Sequence, residues 1–319
     1  MMEITATMVK ELRERTGAGV MDCKRALNEC NGDLEKAVAY LREKGLASAA
    51  KKAGRIAADG LVGAYVNADR TNGALVEVNC ETDFVAKTDD FHGFVQELAE
   101  HIVKHAPKSV SAEDEGAQAP YLLDQPFKGQ QTVGEYVAEL VAKTGEKVTV
   151  RRFAHYQTDA NGFVQEYIHM NGKIGVLIEL AVSDSSLRSK EELAILAKDL
   201  AMQVAAAKPQ FVRRADVPES LIEAEKKIYI AQAMNEGKPA HIAEKITLGR
   251  LNKMYQEICL EEQAFVKDNT QTIATLVAET GKKLGGEIKI VRFARYEKGE
   301  GIEKKSDDFA AEVMSQIKA

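Results

Sequence analysis

The sequence predicts an α+β fold with four parts: an N-terminal three-helix bundle, a duplicated α+β core of two related subdomains, an inserted antiparallel helical hairpin and a C-terminal helix. Three observations carry this expectation. Residues 5–45 hold three short runs with apolar side chains at helical spacing. From Gly60 onward two long stretches repeat each other's pattern. Residues 210–271, rich in charged amphipathic segments, have no counterpart in the first of those stretches.

In the first run Thr5 is placed to cap a helix whose Met8, Val9 and Leu12 share a face. Thr16-Gly17-Ala18-Gly19 breaks it, because two glycines so close favour a turn with positive φ. The pattern resumes from Met21 to Asn28 with Met21, Ala26 and Leu27 facing inward. Asn31-Gly32-Asp33 ends that helix and caps the next, on Leu34, Ala37, Val38 and Leu41. The Ala- and Lys-rich segment 46–59 then predicts a helical or semi-rigid connector that sets the bundle apart.

In the duplicated part, GLVGAYVNADRTNGALVEVNC (60–80) parallels GFVQEYIHMNGKIGVLIELA (162–181). Asn72-Gly73 and Asn171-Gly172 read as hairpin turns, since both central positions tolerate positive φ. Each hairpin leads to an amphipathic helix, Phe91 to His105 and Ser189 to Ala207, that stops at Ala106-Pro107 or Lys208-Pro209. Residues 132–156 and 272–296 then align without a gap as helix, glycine turn and strand, with Arg152-Phe153-Ala154 answering Arg292-Phe293-Ala294. Between these parts the first half has a polar loop, 108–131. The second half has two amphipathic segments, 217–236 and 240–262, broken at Glu236-Gly237-Lys238-Pro239, which predicts the hairpin. Phe309, Val313 and Ile317 place a last helix at Asp307–Ile317. The expected division is therefore 1–45 (bundle), 46–59 (linker), 60–158 (first core subdomain), 159–300 (second, with its insert at about 215–262) and 301–319 (terminal helical module).

The net charge of −6, scattered lysines and arginines and the lack of any Trp disfavour direct nucleic-acid binding. No apolar run is long enough for a membrane span and no leader pattern opens the chain, which predicts a cytoplasmic protein. The four cysteines form no CxxC pair, and the histidines do not fall near them at ligand spacing, so reduced and mostly buried thiols are expected. No phosphate-loop, nucleophile-elbow or zincin motif occurs. Glu81, Asp83, Asp89 and Asp90 crowd one segment, yet their spacing lacks the glycine turn of an EF-hand, and a solvated acidic loop explains them better than a metal or acid–base site.

Within that loop Phe84 stands between Asp83, placed to cap a helical turn, and Val85. From the residues alone it reads first as a core side chain folded back with Val85, and otherwise as an anchor for a partner's pocket. The second half has Val182-Ser183-Asp184-Ser185 at this place and no Phe, which favours the anchor.

ETDFVAKTDDF (81–91) and ELRERTGAGVMDCKRAL (11–27) are similar to the two signatures of the elongation factor Ts family, in that family's order. The likeness extends over essentially the whole chain, through GEGIEKKSDDFAAEV (299–313). The resemblance implies a guanine nucleotide exchange factor for elongation factor Tu, acting in translation elongation, not an enzyme, with no cofactor or metal of its own. It implies that the first bundle resembles ubiquitin-associated domains and docks on the partner's GTPase domain through Lys10, Arg13, Val20 and Met21. It implies a second contact at Thr82, Asp83, Phe84 and Val85, with Phe84 wedging between helices near the magnesium and phosphate site. The hairpin and terminal helix would add further contacts. Val20 stands where the family often has Met, and Gln203 where it often has His, so no role of that His carries over. A non-catalytic adaptor or dimerisation protein using the bundle is the alternative. Two pseudo-symmetric subdomains can pack within one chain or between chains, which leaves a homodimer or a 2:2 complex open.

Overall fold

The computed structural model describes residues 4–129 and 131–303, so the helix expected at Asp307–Ile317 lies outside the described residues. It is a mixed helix and sheet structure made of two compact units. Among the described residues, one unit takes the chain up to Val62, Val76–Phe153 and the chain from Glu297 on; the other takes Gly63–Leu75 and Ala154–Tyr296.

The first unit opens with helices α1 (Ala6–Thr16), α2 (Val20–Glu29) and α3 (Leu34–Lys52) around Leu12, Cys23, Ala26, Leu27 and Ala37. Thr5 caps α1 by accepting from the Met8 N–H, and Asp33 caps α3 by accepting from the Lys36 N–H. Gly17 closes α1 in the left-handed region, at φ +62°. Met21, expected among the inward residues, is 70% exposed, and Cys23 takes the buried position instead. The reason is register: α2 starts at Val20, which turns both Val20 and Met21 outward.

Helix α3 runs through the first part of the expected connector because Leu46–Lys52 contains no breaker. The bundle also does not stand apart. It packs on α6 (Val133–Thr144), with the buried Gly45 facing it: a Cβ there would lie 3.4 Å from the Ala138 carbonyl oxygen, an ordinary contact with no room for a larger side chain. Arg42 pairs with Glu135 across the same contact, and the guanidinium holds the Glu135 carboxyl below its usual range.

Strands β1 (Asp59–Val66), β2 (Asn72–Cys80) and β5 (Val148–Gln157) form a three-stranded sheet in the order β1-β2-β5. After β2 come the single turn α4 (Asp83–Ala86) and α5 (Asp89–His105), which buries Phe91, Phe94, Val95, Leu98 and Ile102. The hairpin expected to turn at Asn72-Gly73 turns earlier. The Asn67 side chain accepts from the Thr71 and Asn72 N–H groups, both at 3.0 Å, and Arg70 takes φ +56°. Gly73 instead sits inside β2, where a Cβ would come within 2.8 Å of Val66 and 2.9 Å of Val164. Its need for glycine is close packing, not a positive φ.

The polar loop 108–131 is largely folded by backbone bonds. Ser109 bridges Tyr121, the Asp114 carboxylate accepts from Val110 and Ser111 at 2.9 and 3.0 Å, and β3 (Pro126–Lys128) pairs with β4 (Gln131–Thr132). Thr132 and Glu135 then make a capping box that starts α6.

In the second unit β6 (Gly162–His169) pairs antiparallel with β7 (Ile174–Val182), from Gly162↔Ala181 to His169↔Ile174, and β10 (Ile288–Glu297) flanks β7 on the other side. Here the expected turn holds, with positive φ at Met170, Asn171 and Gly172. Helix α7 (Glu191–Ala207) packs on the sheet through Leu193, Leu196, Leu200 and Val204. Helices α8 (Glu219–Asn235) and α9 (Ala240–Ile258) fold back on one another around Gly237, at φ +79°, with Arg250 of α9 reaching Gln232 and Glu236 at 2.8 and 3.1 Å. Strands β8 (Ala264–Phe265) and β9 (Asp268–Thr272) and helix α10 (Ile273–Leu284) lead into β10.

The element order of the two halves corresponds closely. Phe211 bridges Cys259 as Ser109 bridges Tyr121, so α8 and α9 stand in the chain where the first half has a short loop between its bridging residues. The repeated Glu and Arg of the sequence also pair in the same way: Arg152 to Glu77 and Arg292 to Glu179, each at 2.6 Å.

Candidate partner-docking site

The site begins where β2 ends. Glu81 and Thr82 leave the strand, and the next residues form the one-turn helix α4. Asp83 was expected to cap this turn, but Thr82 holds the cap position and Asp83 is the first helical residue. The Asp83 carboxylate is free to pair with Lys87 at 2.5 Å, one turn on, and keeps that ammonium charged above its ordinary range. Thr82 makes no side-chain cap bond because its hydroxyl is used elsewhere. It donates to Glu146 Oε1 at 2.6 Å, while the Thr82 N–H donates to Glu146 Oε2 at 3.0 Å.

Within α4 the apolar residues part company. Val85 is 8% exposed and Ala86 is buried, whereas Phe84 is 80% exposed. The core reading of Phe84 fails: Val85 and Ala86 take the inward directions of this single turn, and Phe84, about 100° before Val85, is left facing solvent. Val85, expected at the partner contact, anchors the turn from below. Beside Phe84 lies a groove of about 340 Å³ lined by Val85, Thr88, Asp90, Phe91, Leu140, Lys143 and Thr144.

The crowded carboxylates do not converge. Asp83 pairs with Lys87, Asp90 with Lys143, and Glu81 accepts from Arg55 at 3.2 Å and from the Lys147 N–H at 2.6 Å. Asp89 and Asp90 sit in the first turn of α5, where the helix dipole favours negative charge. Among the described residues there is no cluster of three or more His, Cys, Asp or Glu able to hold a metal ion. The four thiols are unpaired; burial pushes Cys80 up to about 12 and Cys259 to about 11, which keeps both protonated.

The residues expected in the bundle form a second surface. Lys10, Arg13, Val20 and Lys24 line a groove of about 340 Å³ with Ile4, Ala6 and Val9 at its apolar side. Met21, next to it on α2, is among the most exposed apolar side chains of the described residues. Lys143 links the two places: it lines the Phe84 groove, pairs with Asp90, and lies within 3.7 Å of where a Gly17 side chain would be. The two sequence motifs, far apart in the chain, thus meet on the first unit. Lys143, Leu140 and Glu146 escaped the reading of the sequence because each belongs to a helix–turn–strand segment that looks purely structural. The usable signal was the repeat, in which Glu146 corresponds to Gly286.

An exposed aromatic on a short turn, a largely apolar groove beside it and carboxylates paired with lysines or arginine make a surface with no converged set of catalytic or metal-binding groups among the described residues. Residues 81–300 match the family model for elongation factor TS, over more than half of the chain. Over 310 residues the chain is 53% identical to the elongation factor Ts of Clostridium perfringens strain 13, covering 97% of this chain and 98% of that protein. It is 51% identical over 316 residues to that of Symbiobacterium thermophilum, covering 99% of each, and 49% identical over 314 residues to that of Clostridium botulinum strain Alaska E43, covering 98% and 99%. The chain belongs to the elongation factor Ts family, and its role is in translation elongation. No helix among the described residues is long and apolar enough to cross a membrane.

Proposed function

We propose that the chain is a guanine nucleotide exchange factor that binds elongation factor Tu in its GDP form, loosens GDP by disturbing the magnesium and phosphate site, and leaves when GTP binds. The observation that carries this reading is Phe84: 80% exposed on a turn whose next two residues are buried. Its counterpart in the second half is Ser186, so the shared fold does not need an aromatic there.

The mechanism is binding, not bond-making. A partner that prefers the nucleotide-free GTPase weakens GDP by the same factor by which GDP weakens the partner. A coupling of about 4 kcal/mol would speed GDP release by about a thousandfold, at ~1.4 kcal/mol per decade. In this reading the ubiquitin-associated-like bundle docks through Lys10, Arg13, Val20 and Met21, and Phe84 fills space that the GDP-bound state keeps closed. Asp83, held by Lys87, disturbs polar contacts next to it. The α8–α9 hairpin and the C-terminal module add contacts, and the two core subdomains leave room for a homodimer or a 2:2 complex.

The test is to mix the chain with elongation factor Tu loaded with fluorescent GDP and excess unlabelled nucleotide. Release accelerated by orders of magnitude supports exchange. Binding without acceleration would identify an adaptor instead.

A further inference from the structure

We propose that Glu146 is a positioning residue for the exchange reaction: its carboxylate clamps Thr82 and thereby holds the Phe84 turn ready before the partner arrives. This rests on the exchange reading above. Two locks join the end of β2 to the turn between α6 and β5. In the first, Glu81 accepts from the Lys147 N–H at 2.6 Å. In the second, both Glu146 oxygens accept from Thr82, from its N–H at 3.0 Å and its hydroxyl at 2.6 Å. Hydrogen bonds to a carboxylate are about twice as strong as neutral ones, and two in parallel fix direction as well as distance.

The repeat shows which lock the fold requires. In the second unit Ser183 stands for Glu81 and Glu287 for Lys147, and the Ser183 hydroxyl accepts from the Glu287 N–H at 2.9 Å. The first lock is therefore present in both halves. The second is not, because Gly286 stands for Glu146, and a Cβ there would meet Leu187 at 2.6 Å and the Ser183 hydroxyl at 2.7 Å. A sheet end of this kind folds without the Glu146–Thr82 clamp. The clamp occurs only in the half whose following turn presents an exposed Phe, and Thr82 is the residue immediately before that turn. A loop released from such a restraint spends part of its time in arrangements that do not fit the partner, and the apparent affinity falls by the fraction that does.

Three variants, Glu146→Ala, Glu146→Gln and Phe84→Ala, are compared by stopped-flow release of fluorescent GDP from elongation factor Tu over a range of exchange-factor concentrations, together with melting temperature. For Glu146→Ala the half-saturating concentration is expected to rise about tenfold with the limiting rate unchanged, since the partner selects the competent turn once bound. Glu146→Gln should restore most of it, because its oxygen accepts from the Thr82 N–H and its amide donates to the Thr82 hydroxyl. Phe84→Ala should lower the limiting rate. An unchanged half-saturating concentration in Glu146→Ala, while Phe84→Ala still slows release, overturns the clamp and leaves the exchange reading intact. A joint fall of limiting rate and melting temperature without rescue by Gln makes Glu146 structural and overturns it as well. An inert Phe84→Ala instead refutes the reading on which the clamp rests.

Discussion

Removing the Phe84 ring separates a docking role from a folding role, because the two make opposite demands on stability. A fully buried Phe contributes about 1.5–3 kcal/mol through its burial. With 80% of Phe84 exposed, about a fifth of that is realised within this chain, so Phe84→Ala should cost about 0.3–0.6 kcal/mol. For a chain of this size that is a drop in melting temperature of about 1–2 °C. At an interface the same ring would be fully enclosed, and truncating such an anchor costs about 2–4 kcal/mol. At ~1.4 kcal/mol per decade, stimulated GDP release should fall by a factor of about 30 to 1,000. The assay is stopped-flow fluorescence of labelled GDP leaving elongation factor Tu, paired with calorimetric melting of the free chain. Phe94→Ala, whose ring is 1% exposed on the buried face of α5 and lies outside the Phe84 groove, is the control. It should lose about 3–5 kcal/mol of stability, with release lost only in proportion to unfolded protein. A Phe84→Ala chain that melts as early as Phe94→Ala, or that releases GDP at the unaltered rate, would refute the reasoning.

Other consequences can be checked in the same way. Met21→Ala should weaken binding to elongation factor Tu about three- to tenfold by calorimetric titration while the melting temperature stays within about 1 °C, since the side chain is 70% exposed. Gly45→Ala should be tolerated, because its Cβ meets Ala138 and Ala142 at ordinary contact distances; Gly45→Leu should push α3 off α6, cost about 1–3 kcal/mol and speed proteolysis of the bundle. Double truncation of Arg151 and Arg152 leaves Glu77, fully buried, without its cations and should cost about 3–5 kcal/mol, measured by urea unfolding. The Arg42–Glu135 pair predicts a pH effect of definite sign. Because Arg42 lowers the Glu135 value in the folded chain, the stabilisation is complete above the ordinary carboxyl value near 4.3 and is lost as pH falls below it through the folded value. Arg42→Ala should flatten this part of the stability–pH curve.

Local patterns were legible in the sequence by themselves: the three helices of the bundle, the repeated order of hairpin, helix, helix and strand, the break at Gly237 and the family motifs. These are short-range features, set by apolar spacing, caps and turn residues, and they do not depend on what packs against them. The turn of the first hairpin was misplaced because Asn-Gly favours a turn only if nothing else requires the glycine; Val66 and Val164 require it inside the strand. The reach of α3 and its docking on α6 were also hidden, since a run of Ala and Lys reads equally as connector or helix until Gly45 meets Ala138. At the candidate site the sequence identified the motif and, through the repeat, singled out Phe84. Only the tertiary structure decided that Phe84 faces outward while Val85 faces in, and that Glu146, distant in the chain, accepts two hydrogen bonds from Thr82 just before that turn. That decision needs three dimensions because a single helical turn has one buried face, and which residue occupies it depends on neighbours that chain order does not bring together.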